Sequence, residues 1–427
     1  MAIPTLFLGF LALMVLGAPL AVALGLAGTA AILEAQLGIL SLPTNVYAGI
    51  AKYPLLSIPV FILAGVIFER AGVAARIVTF ASSLVGARNG GLAVVAILVC
   101  MVMGGISGSG PADAAAVATV MIPSMQRAGY PKAFSASVIA AAAATAILIP
   151  PSVAFIIYSV LVPAASIPAL FAAGLIPGII AGLSLLAPTI WLSRRHGFGL
   201  ADTGPRPPLW QSFKGAIWGL LAPVIILGGL RTGAFTPTEA AVVAVFYGLM
   251  VGLFVYRALT WRGLYNALAE SAEMSAVVLL IIALSSVFAW AGSTLGAFDA
   301  VAKAAMEATG NEVIILLLLN VALLGLGMLL DAVSILLILL PLLTPIMEAF
   351  NWDPVWFGVM LTMNLAIGQF TPPMAVNLMV TSRVADIPME ATVRWSLWMV
   401  GAMVMALMLV TFVPELSLWL PHRLGYQ

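Results

Sequence analysis

The chain has 427 residues, 63% of them hydrophobic and only 8% charged, whereas soluble domains carry roughly a quarter charged residues. The formal net charge is +1, and the basic residues lie between apolar segments and not along one face. The composition excludes an ordinary soluble fold, and the charge gives no sign of a nucleic-acid-binding surface.

A spanning helix needs about 20 mostly apolar residues, and segments of that length recur along the chain between short turns rich in charge, Gly or Pro. The first, Ile3 to Leu33, has no Lys or Arg before it and outruns a secretory h-region. It is therefore expected to be a membrane helix of the mature chain and not a cleaved signal. A lone Cys100 makes no internal disulfide, and His196 and His422 lack metal-ligand spacing. None of Lys52, Lys132, Lys214 and Lys303 follows a glycine, so the G-K-[ST] phosphate loop of an ATPase is missing.

Further along, Arg70, Arg76 and Arg88 precede the run Gly91 to Gly105, and Arg127 and Lys132 follow Met121-Ile122-Pro123. The positive-inside rule assigns both ends to the cytoplasm. The stretch near 91–124 must then enter and leave on one side, broken at Gly104-Gly-Ile-Ser-Gly-Ser-Gly-Pro111, where no helix should continue. It is expected to be a re-entrant hairpin. A broken helix near 134–158 then crosses outward, a return helix reaches Arg194-Arg195, and two more crossings lead to Arg257 and Arg262. Of 17 basic residues only Lys52, Arg231, Lys303 and Arg423 remain outside, beside Asp299, Glu307, Glu312, Glu348 and Asp353.

A second hairpin near 313–346 is broken at Gly325-Leu-Gly-Met-Leu-Leu-Asp331 and flanked by external acidic loops, so it enters from the opposite face. A broken helix near 355–381 follows. Met121-Ile122-Pro123 matches Leu343-Thr344-Pro345, and Pro150-Pro151 matches Pro372-Pro373, both at a spacing of 222 residues. The expected fold is an all-α polytopic membrane protein built from two inverted repeats, 1–210 and 211–427. It would have about ten to twelve transmembrane helices and two opposed hairpins. Inverted repeats with discontinuous helices are how many secondary transporters build a midplane site.

The breakpoints carry the candidate chemistry. Ser107 and Ser109 alternate with Gly108 and Gly110, offering hydroxyls and free carbonyls that suit a hard cation such as sodium. Asp113 follows within a turn. A buried carboxylate in a span is usually functional, yet near a helix start it also serves as a cap; both readings stand. Asp331, after Gly325 and Gly327, has the same two readings and could also line an ion or substrate route. Thr145 lies ahead of Pro150-Pro151-Ser152, and Gly368-Gln-Phe-Thr371-Pro-Pro-Met374 lies between Asn364 and Asn377. Proline frees carbonyls one turn earlier. Those carbonyls with Thr371 would complete cation sites, and Asn364, Gln369 and Asn377 would bond a polar substrate, unless these side chains merely join helices. Asp113 is grouped with that substrate set. Thr236-Pro-Thr-Glu239 reads as a helix start, and Glu270 and Glu273 as interface or partner contacts. Trp352, Trp356, Trp395, Trp398 and Trp419 read as interfacial aromatics.

With these residues in view, the chain resembles the large membrane subunit of the tripartite ATP-independent periplasmic (TRAP) transporters, the DctM or SiaM type. GGISGSGPADAAA from Gly104, AILIPPS from Ala146, RTGAFTPTEAAVVAVFY from Arg231, MLLDAVSILLILLPLLTPI from Met328 and GQFTPPMAVNL from Gly368 carry the resemblance, which covers nearly the whole chain. It implies a sodium-driven elevator in the bacterial inner membrane, in which a mobile domain holding both hairpins slides against a scaffold. It implies two partners, a small four-helix membrane subunit, expected as a separate chain, and a periplasmic binding protein. The cargo would be a sialic acid, a C4-dicarboxylate or another organic acid, with sodium as coupling ion and no cofactor. Carried over by position, one sodium site falls at Ser107, Gly108 and Ser109 with Thr145 to Pro150. The other falls at Gly325, Gly327 and Asp331 with Gly368, Thr371 and Met374. Three alternatives are a stand-alone carboxylate carrier of the related two-hairpin superfamily, a channel, and an intramembrane enzyme. Opposed hairpins suit alternating access better than a continuous pore, and no nucleophile–base pair or metal cluster sits at membrane depth.

Overall fold

The computed structural model describes residues 2–85, 89–199, 208–308 and 311–426; Arg88, counted above beside the first hairpin, lies outside them. Among the described residues every regular element is helical, as lipid demands, since a helix satisfies its own backbone polar groups. Among the described residues seven helical spans are long and apolar enough to cross a membrane singly, and the other apolar helices have 10–17 residues. Gly and Pro cut these shorter ones. The run Ile3 to Leu33, expected as one helix, is two, Ala2–Val15 and Leu20–Glu34, packed against each other. Gly17, at φ +81, and Pro19 turn the chain between them.

Each hairpin is two helices around a short tip. The first pairs Gly91–Ser107 with Gly110–Arg127; the second pairs Glu312–Gly327 with Ala332–Ala349. The first broken helix runs Lys132–Ala143, tightens into a 3-10 turn Ala144–Ile147, and resumes as Val153–Leu161. The second runs Pro354–Gly368 and resumes as Val376–Ala385. Both breaks hold a cis prolyl bond, Pro150-Pro151 and Pro372-Pro373. The long helix Trp261–Thr294 stands at the 222-residue spacing from Ser41–Ile50 and Ser57–Arg70, which Pro54 keeps apart.

The helices pack in two sets. In one, both arms of the first hairpin and Val376–Ala385 pack on Lys132–Ala143, and Glu312–Gly327 packs on Pro354–Gly368. In the other, Ser57–Arg70 packs on Pro237–Met250, and Trp261–Thr294 packs on Leu20–Glu34, Ser41–Ile50 and Ser57–Arg70. The helices Val73–Val85 and Ala297–Ala308 bridge the sets, touching Leu209–Arg231 and the first hairpin on one side and Ala332–Ala349 on the other. The centre of the first set is made of small residues: Ala140 to Ala144 are all fully buried, which lets backbones approach closely.

Two of the five tryptophans expected at the interface are elsewhere. Trp352 and Trp356 are buried, with Nε1–H of Trp352 donating to Glu312 at 2.6 Å and that of Trp356 to the Val410 carbonyl at 3.1 Å. An indole with a fixed acceptor can be buried at little cost. Trp398 and Trp419 are exposed. Thr236 and Glu239 form a reciprocal capping box, the helix-start role read from the sequence.

Candidate functional site

The first tip is fixed by its glycines. Gly108 ends Gly91–Ser107 in the left-handed region, φ +63, and donates its N–H to Gly104 O at 3.1 Å. A Cβ at Gly108 would run into the Pro151 carbonyl, and one at Gly104 would lie 2.7 Å from Ala146 Cα. The tip therefore presses backbone to backbone on the break of the first broken helix. Ser107 Oγ donates to Asp113 Oδ1 at 2.7 Å and accepts from Ser109 N–H at 3.1 Å. Asp113 is 1% exposed, and its other oxygen, Oδ2, has no hydrogen-bond partner among the described residues. Thr145, fully buried, donates to Ala142 O at 2.7 Å, while its own carbonyl accepts from Leu148 and Ile149.

The second tip meets the second break in the same manner. A Cβ on Gly368 would lie 2.6 Å from Gly327 Cα, and Met374 N–H donates to Met328 O at 3.2 Å. Thr371 Oγ1 donates to Ile367 O at 2.6 Å. Asp331 is the N-cap of Ala332–Ala349, accepting from Ser334 N–H at 3.2 Å and from the Ser334 hydroxyl. Gly325 is exposed with open space around it, and the Met374 side chain is 56% exposed; these two stand apart from the close-packed core of the tip.

The polar set around the second break divides. Asn364, fully buried, donates from Nδ2 to both Oδ1 and the carbonyl of Asn320, each at 2.9 Å, tying Pro354–Gly368 to the second hairpin. Asn377 donates to Ala140 O at 3.2 Å, joining the two broken helices. Gln369 is 8% exposed, its Oε1 has no partner among the described residues, and that oxygen lies 2.5 Å from where a Cβ on Gly110 would stand. Gln369 thus reaches the first tip from the second break.

All of this surrounds one cavity of about 370 Å³, lined by Ser107 to Ala112 of the first tip, Asp331 to Val333 of the second, and Gln369. Glu69 and Glu270 line it from Ser57–Arg70 and Trp261–Thr294 of the second helix set. Glu270 pairs with Arg70 at 2.6 Å, between those two helices. Asp113, Asn364 and Asn377 are not among the lining residues. Neither Glu69 nor Asn320 was singled out in the sequence: Glu69 reads there as part of an end-of-span Glu-Arg pair, and Asn320 as one amide in an apolar helix.

The described lining residues carry three carboxylates, Glu69, Glu270 and Asp331, and no Lys, Arg or His. The first turns of Gly110–Arg127 and Ala332–Ala349 both open on the cavity, and the first has no side-chain cap. Helix N-termini leave N–H groups free and favour anions. The cavity thus offers oxygen ligands for a cation and one uncapped helix start, that of Gly110–Arg127, for an acid group.

Comparison with known proteins bears on the whole arrangement. The family model described as the tripartite ATP-independent periplasmic transporter, DctM component, matches residues 7–416. The isethionate TRAP transporter permease DctMQ of Oleidesulfovibrio alaskensis is 38% identical over 98% of this chain; the chain spans 66% of that protein's length. The C4-dicarboxylate TRAP transporter large permease DctM of Rhodobacter capsulatus is 36% identical over 97% of this chain and 98% of its own. Among solved structures, the Alcanivorax borkumensis YdaH transporter superposes with a TM-score of 0.68 over 88% of this chain and 89% of its own, at 16% identity. That likeness concerns the fold alone.

Proposed function

The chain belongs to the DctM component family of the tripartite ATP-independent periplasmic transporters, and from that premise we propose that it carries a small organic acid inward on a sodium gradient. It is a polytopic membrane transport subunit and not an enzyme. The observation that carries the proposal is the convergence of both hairpin tips and Gln369 on the single cavity.

In this reading the acid group of the cargo lies against the uncapped first-turn N–H groups of Gly110–Arg127, and Gln369 Oε1, unpartnered among the described residues, accepts from a donor elsewhere on the cargo. One sodium ion sits at Ser107, Gly108 and Ser109 with the carbonyls from Thr145 to Pro150. The buried hydroxyls of Ser107 and Thr145, the close backbone approach at Gly108, and the unpartnered Oδ2 of Asp113 support it. A second sits at Gly327 and Asp331 with Gly368 and Thr371, supported by the Gly327–Gly368 contact; Gly325 and Met374 are its weakest members. Sodium here is cargo that travels with the acid. The cavity has three carboxylates and no basic side chain among its described lining, so a cation that enters with the anion offsets the repulsion the anion would otherwise meet. That is a physical reason for coupling.

The relatives' names span isethionate and C4-dicarboxylates, so the cargo class proposed here is no narrower than a small organic acid. A small four-helix membrane subunit and a periplasmic binding protein complete the assembly. The test is uptake of a panel of labelled organic acids into proteoliposomes under an inward sodium gradient, with each partner present or omitted. Uptake that needs sodium and all three proteins is the expected result. Uptake by this chain alone would replace the tripartite reading with a stand-alone carrier, and uptake indifferent to sodium would overturn the coupling.

A further inference from the structure

A groove larger than the transport cavity lies away from it. It measures about 930 Å³ and runs between Ile167–His196 and Val393–Phe412, which pack together. From Ile180 to Trp191 its lining extends about 16 Å at 1.5 Å per residue, close to half the ~30 Å hydrocarbon core. The groove is therefore as long as one leaflet is deep. Its walls are apolar, with Leu183, Leu397, Met405 and Leu409 all exposed.

One end is different in kind. Trp191 and Trp398 close it with ring centroids 5.1 Å apart. Past Ala187 and Trp191 the groove continues into a pocket of about 520 Å³ lined by Arg194 and Arg195. The Arg195 guanidinium lies 5.0 Å from the Trp191 ring centroid. Both arginines are exposed, and among the described residues neither has a carboxylate partner. An apolar leaflet-long groove that ends in an aromatic pair and two guanidinium groups with no carboxylate partner among the described residues matches a lipid from chain to headgroup. A transmembrane helix of another protein would fill the apolar length without engaging the two charges.

We propose that this groove binds an anionic phospholipid of the cytoplasmic leaflet, its acyl chain along the two helices and its phosphate between Arg194 and Arg195. Basic pockets between helices on the cytoplasmic side are where anionic headgroups bind. Both helices pack on Pro354–Gly368, and Val393–Phe412 also packs on Lys132–Ala143, so the lipid would ride with the hairpin set.

The full chain in detergent, titrated with phosphatidylglycerol and with phosphatidylcholine of the same acyl chains and read by native mass spectrometry, tests this. Phosphatidylglycerol should bind at least about tenfold more tightly, and Arg194→Gln with Arg195→Gln should remove most of that preference. Gly401 lines the groove and an added Cβ there meets nothing within 4 Å, so Gly401→Trp fills the groove without a backbone clash and should abolish retention of both lipids. Equal retention of the two lipids, or a preference that survives the arginine variants, overturns the proposal. So does efficient cross-linking of a Gly401→Cys variant to a second copy or to a co-expressed membrane subunit, which would assign the groove to a protein.

Discussion

Single side chains around the tips fall into those that hold helices together and those left free to bind, and mutation should separate them. Asn364→Ala strips the donor from both Asn320 acceptors, and a lost interhelical amide bond in a membrane costs about 0.6–2 kcal/mol. Its expected signature is a lower melting temperature in detergent with an unchanged KM for the cargo. Gln369→Ala should do the reverse, since its Oε1 has no protein partner and the residue lines the cavity: KM rises severalfold at unchanged melting temperature. If Asn364→Ala raised KM and Gln369→Ala only destabilised, the division drawn here would be wrong. Ser107→Ala and Thr371→Ala should each raise the sodium concentration for half-maximal uptake severalfold while the protein stays folded. Sodium activation curves that overlay the wild type in both variants would remove these hydroxyls from the cation sites.

At the level of elements, breakers were readable and partners were not. The tips at Gly104 to Pro111 and the paired prolines act on their own backbone, so they mark the helix breaks from the sequence. The turn at Gly17 to Pro19 uses the same residue types, and it was hidden only because the apolar run continues through it. Burial of Trp352 and Trp356 depends on Glu312 and Val410, 40 and 54 residues away, which no local pattern reports. The same holds for Arg70 and Glu270, 200 residues apart, which pair two scaffold helices beside the cavity. Their side chains are about one-third and nearly one-half exposed, so the pair contributes at most about 1 kcal/mol to stability. Its larger effect is electrostatic: Arg70, paired with the lining residue Glu270, puts a positive charge beside a cavity that otherwise presents Glu69, Glu270 and Asp331 to an acid. Arg70→Gln should therefore raise KM for an anionic cargo severalfold and leave the melting temperature nearly unchanged. The KM effect should shrink as inert salt is added. A KM effect independent of salt would point to a direct bond between Arg70 and cargo.

For the whole molecule, the sequence supplied the helical membrane fold and the tip residues, while the cavity needed three dimensions because its wall is drawn from segments near 69, 110, 270, 332 and 369. The elevator that the family resemblance implies makes a further demand, that the hairpin set slide past the set of Pro237–Met250, on which Leu209–Arg231 packs, and the packing gives a place to arrest it. Gly105 on the first hairpin faces Pro223 on Leu209–Arg231; an added Cβ at Gly105 would lie 3.5 Å from Pro223 Cβ. That separation is at the short end of the roughly 3.5–4.5 Å a disulfide spans. Gly105→Cys with Pro223→Cys, in a Cys100→Ala background so that no other thiol is present, should cross-link under mild oxidation. Neither position belongs to the proposed ion or cargo sites, so the reduced double variant should still transport. Oxidation should stop uptake and reduction should restore it, with cargo binding from one side of the membrane persisting in the oxidised state. Undiminished uptake by fully cross-linked protein would mean that the first hairpin does not move against Leu209–Arg231, and transport would then have to proceed by tip opening within a fixed frame.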